Sequence, residues 1–114
     1  MSSRMLVTSM AAAVLALCGA SVVSADDTGF ASAHDLRKER GRTCMSDHYH
    51  YGNSTAKSTR GAAERDAIGS WQSFTDFEYG SDWARYSRAA GKRMTCKGAG
   101  GGAWECSVEA RPCR

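Results

Sequence analysis

Cys44, Cys96, Cys106 and Cys113 constrain this chain more than any other feature of it. They stand in a stretch too short to fill a large apolar core, since a domain of this size buries only about 60–65% of the surface its unfolded chain exposes. Small exported domains make up for a thin core with covalent links. An even set of four then reads as two disulfides, with three pairings open before any strand is placed. Zinc is the competing use of such a set. The chain has no C-x-x-C pair, and the spacings among its last three cysteines fit no common zinc pattern.

Disulfides require an oxidising compartment, and the start of the chain points to one. Met1–Arg4 carries one positive charge, Met5–Cys18 is apolar, and Val23-Ser24-Ala25 supplies the small residues that precede a signal-peptidase cut. A signal peptide is therefore expected over 1–25, taking the fifth cysteine, Cys18, with it. Residues 26–114 would remain, exported to the periplasm or the extracellular space. Nothing in that remainder approaches the roughly 20 apolar residues of a membrane span. Its charge is nearly balanced, for the whole chain carries +3 and Arg4 leaves with the leader. That balance excludes a strongly steered nucleic-acid binder.

Residues 26–42 are polar and mixed in charge, with Phe30 and Leu36 as isolated apolar positions. This composition predicts a flexible N-terminal arm. A single small α+β domain is expected over 43–114. Thr43–Tyr51 alternates as a strand does, which would set His48 and His50 on one face and Tyr49 and Tyr51 on the other. Gly61–Tyr79 predicts the main helix, with Ala63, Ala67, Trp71 and Phe74 in its apolar stripe and Gly80 as its stop. Ser81–Ala90 reads as an irregular segment or an edge strand. Arg93–Lys97 and Ala103–Ala110 alternate on either side of Gly98–Gly102 and predict a C-terminal β-hairpin. Its Trp104 face should pack on the Trp71 face of the helix, completing a small antiparallel sheet. On that register Cys96 and Cys106 face one another, which favours the pairs Cys96–Cys106 and Cys44–Cys113.

Few residues carry a chemical signal. On one strand face, the imidazoles of His48 and His50 can reach a single copper or zinc ion, although a third and a fourth ligand would be needed. Exposed histidines on an edge strand are the plain alternative. Glu78 falls toward the buried side of the helix, where an unpaired carboxylate is costly. An arginine such as Arg85 or Arg93 is its expected partner, and no second carboxylate stands at a catalytic spacing from it. Gly98–Gly102 leads into a strand and lacks the Lys and Ser/Thr of a phosphate loop. Trp71, Trp83 and Trp104 read as core. No catalytic residue is expected.

The run from Ala63 to Arg114 resembles a group of small exported bacterial proteins that have no known activity. The likeness is carried by Trp71, Tyr79-Gly80, Trp83, Cys96, Trp104-Glu105-Cys106 and Ala110-Arg111-Pro112-Cys113. It implies export and the C-terminal hairpin, and it brings no catalytic residues with it. The leading expectation is an exported, disulfide-bonded, non-catalytic protein acting through its surface, on a protein or an envelope polymer. Copper or zinc binding through His48 and His50 is the second expectation. A small hydrolase built on Glu78 is the third.

Overall fold

The helix is set by its cap and its small residues. The extended backbone of Thr59 and its side-chain oxygen, which accepts from the Ala62 amide at 3.1 Å, start α1 at Arg60–Tyr79. Gly80 ends it at φ 97°, a value that favours glycine. This computed structural model describes residues 26–114. The expected signal peptide lies outside the described residues. Along α1 every fourth residue is buried: Ala63, Ala67, Trp71, Thr75 and Tyr79. This is a single ridge of side chains winding round the helix. Phe74, expected in that stripe, is instead 50% exposed because the ridge passes through Thr75.

The ridge packs on a three-stranded antiparallel sheet. Its strands are β3 (His50–Asn53), β4 (Ala90–Gly98) and β5 (Trp104–Arg111), in the order β3-β5-β4. The last two form the C-terminal hairpin, with Cys96 opposite Cys106 and Met94 opposite Val108. Ala63, Ala67 and Trp71 meet Cys106, Val108 and Ala110 in the main core, and Trp104 packs at its margin. The Trp71 indole N–H donates to the Ala110 carbonyl at 3.2 Å, satisfying a buried donor. The fold is thus the expected α+β domain, one main helix on antiparallel sheet. Between α1 and β4 the chain makes two 3-10 turns, Ser81–Trp83 and Tyr86–Arg88, rather than a strand.

Two expectations for the N-terminal part are corrected. Residues 26–42 are not a free arm. After a 3-10 turn at Phe30–Ala33 they form β1 (Leu36–Glu39), which pairs with β2 (Arg42–Met45). Arg40 and Gly41 turn between them at φ 48° and 79°, the positive values of a two-residue type I′ hairpin. The segment is tied down by the Thr28 amide to the Tyr79 carbonyl at 3.0 Å and the Asp82 amide to the Asp26 carbonyl at 2.8 Å. The guanidinium of Arg111 also grips both carboxylate oxygens of Glu39, at 2.7 and 2.9 Å. The second correction concerns Thr43–Tyr51, which is two strands joined by a bend. Tyr49 and His48 lie in that connection, and only His50 opens β3.

Beyond β5 the tail runs beside β2. Thr43 and Arg114 exchange backbone hydrogen bonds at 2.9 and 2.8 Å. Between them Cys44 is bonded to Cys113, and on the hairpin Cys96 is bonded to Cys106. No helix among the described residues is long and apolar enough to cross a membrane.

Candidate functional site

Gly52 brings the site together. A Cβ built there would stand 2.2 Å from the Ala67 carbonyl and 2.5 Å from the Trp71 nitrogen, so β3 crosses α1 with backbones almost touching. Alternation along β3 turns His50 and Gly52 to the helix and leaves Tyr51 and Asn53 outside. His50 therefore lands one and two turns beyond Trp71, over Thr75 and Glu78. Its ring lies 4.8 Å from Phe74 and 5.0 Å from Tyr79, stacked on the latter.

The hydrogen bonds of Thr75 assign a tautomer to His50. The Thr75 hydroxyl donates to the Trp71 carbonyl at 2.7 Å, so toward His50 Nδ1, 3.0 Å away, it can only accept. This arrangement assigns the proton to Nδ1 and a lone pair to Nε2. That Nε2 is buried and has no hydrogen-bond partner. Glu78 Oε2 is 3.1 Å from it, close enough for an ion pair. The two make no hydrogen bond, because a bare Nε2 and a carboxylate oxygen are both acceptors. Burial pushes the His50 imidazolium pKa down to about 4, against the opposing pull of Glu78. His50 is accordingly neutral at pH 7.

Two further histidines complete a cluster. The His48 ring is edge-on to His50 with centroids 5.0 Å apart, and it stacks on His34 at 4.4 Å. His34 Nε2 lies 2.8 Å from the Tyr79 hydroxyl. Burial raises the Tyr79 pKa, so the phenol keeps its proton. Burial and the neighbouring His34 lower the pKa of His48 as well. A cleft of about 320 Å³ opens beside these rings, lined by Ala33, His34, Asp35, Asp47 and His48. A roomier cleft, about 670 Å³, lies apart from them between α1 and the Ser81–Ser87 turns and is wide open.

The expected pair His48 and His50 is thus brought together, though not by a shared strand face. Glu78 sits at the rim of the same cluster, 38% exposed, and its partner is His50 rather than Arg85 or Arg93. Arg93 pairs with Glu109 instead, at 3.1 Å. Sequence reasoning does not reach His34, which falls within the expected arm of residues 26–42, or Tyr79. The latter did carry a signal, since it continues the four-residue spacing of the buried ridge. Among the described residues, only Glu39, Cys44 and Cys113 hold three metal-ligand atoms within 4.8 Å of one another. Those sulfurs are joined to each other and that carboxylate is held by Arg111, so the trio offers no ion a place while the disulfide stands. In comparisons with protein families, curated proteins and solved structures, the chain matches none.

Proposed function

We propose that this is an exported, disulfide-stapled protein that acts by binding rather than catalysis, and that His48 and His50 bind a copper or zinc ion. Export is supported by the signal-like residues 1–25 and by two disulfides. One observation carries the metal reading: three histidine rings stand in contact, and two of them are held neutral by burial, so their lone pairs are free at pH 7. Neutral imidazole is the form that ligates copper and zinc. No observation favours a hydrolase on Glu78 over this reading, since its carboxylate faces the His50 imidazole at 3.1 Å.

The test is a titration of disulfide-intact protein, residues 26–114, with copper(II) and zinc(II) against a competing chelator. One equivalent should bind at micromolar concentration or tighter. His48→Ala should remove that uptake while leaving the fold, because the ring is only partly buried. His50→Gln should remove it too, at some loss of stability, because His50 is in the core. Wild-type protein that binds no better than either variant overturns the reading.

A further inference from the structure

We propose that Glu78 is the third ligand of this site, and that the ion sits between His50 Nε2 and Glu78 Oε2 with His48 turning in to join them. The inference rests on the metal-binding function just proposed. Its carrying observation is the Nε2 of His50: the ring is 2% exposed, and this bare nitrogen makes no hydrogen bond although a carboxylate oxygen stands 3.1 Å away. A buried lone pair next to a negative oxygen is unfavourable unless something positive comes between them.

The spacing suits a metal ion. Imidazole nitrogens and carboxylate oxygens bind zinc at about 2.0–2.2 Å. An ion at that distance from both atoms, 3.1 Å apart, sees them at roughly 100°. That angle is close to tetrahedral and to the cis angle of a square site. An ion on the lone-pair axis of Nε2 then also reaches an oxygen that stands off that axis. Thr75 is the positioning residue: by accepting the Nδ1 proton it turns the lone pair of Nε2 toward the carboxylate. His48 completes the set by rotation, since its nitrogens do not yet lie within 4.8 Å of both other ligand atoms. Two imidazoles and a carboxylate, with no thiolate or thioether, make a donor set for divalent zinc or copper(II). Monovalent copper prefers sulfur.

Two measurements test this separately from the function itself. The first needs no metal. The ¹⁵N shifts of His50 should show Nε2 as the bare, pyridine-like nitrogen and Nδ1 as the protonated one, and Thr75→Val should abolish that preference. A proton on Nε2 in the wild type overturns the proposal. The second compares zinc(II) and copper(II) affinities of the wild type and Glu78→Gln. The amide keeps the size of the half-exposed side chain and removes its charge. Affinity should fall by about tenfold or more, and copper(I) should bind weakly to both proteins. If the wild type takes up an ion and Glu78→Gln binds it as tightly, the third ligand is wrong while the histidine site stands. If the wild type takes up none, both fall.

Discussion

His50 ties acid stability to a single ring. Unfolded, its imidazole takes a proton near pH 6.5, and folded it does so only near pH 4, because burial among Phe74, Thr75 and Tyr79 disfavours the charge. Glu78 pulls that value upward, while His34 and His48 push it down. Between those two pH values the unfolded chain holds a proton that the folded chain lacks, so stability falls as pH falls from 6.5 to 4, by up to about 3 kcal/mol. His48, also depressed, adds to the same slope. Glu39 contributes later. Its hydrogen bonds to Arg111 hold its pKa at about 2, so its share is intact above pH 4.5 and is lost only below that. Urea midpoints of metal-free protein should therefore drop between pH 6.5 and 4.5, and in His50→Gln that drop should shrink. Midpoints that stay level across this range in the wild type would sink the assignment. None of this was readable from local sequence. The sequence offers Glu78 the later arginines Arg85 and Arg93, and its actual neighbour arrives from a strand 28 positions earlier.

Close approach of β3 to α1 makes one methyl group decisive. Gly52→Ala sets a Cβ against the Ala67 carbonyl and the backbone of Trp71, none of which can move without unseating the helix. It should destabilise by about 3 kcal/mol or more. Gly69→Ala puts the same methyl on the same helix with nothing within 4 Å of it, and should stabilise by roughly 0.5–1 kcal/mol. Denaturant midpoints moving in opposite directions would confirm the crossing; a Gly52→Ala protein as stable as the wild type would refute it. The elements that could be read in advance are those whose signal is periodic. The ridge of α1 and the alternation of β5 are visible because each buries one face. The β1–β2 hairpin is not, since Arg37, Lys38 and Arg42 alternate with little that is apolar, and Arg40-Gly41 lacks the Asn or Asp that usually marks such a turn. With that hairpin went His34, which no local pattern connects to residues 48–50.

Across the whole molecule the two disulfides do unequal work. Cys44–Cys113 spans 69 positions and Cys96–Cys106 spans 10. On chain entropy alone these are worth about 4 and about 3 kcal/mol. The longer link is also fully buried at both ends, where serine hydroxyls would lack water. Cys44→Ser/Cys113→Ser should thus lower the melting temperature more than Cys96→Ser/Cys106→Ser, and the reverse order in thermal melts would contradict the account. The longer link has a mechanical consequence too. Tension applied at Asp26 and Arg114 can draw out only the stretch ahead of Cys44 and the last step beyond Cys113, about 19 residue spacings or roughly 65 Å. With both links reduced the same pull would extend the chain to roughly 300 Å. Under load the oxidised protein would shed β1 and His34, while His48, His50 and Glu78 stay inside a covalent ring that force on those two residues cannot open.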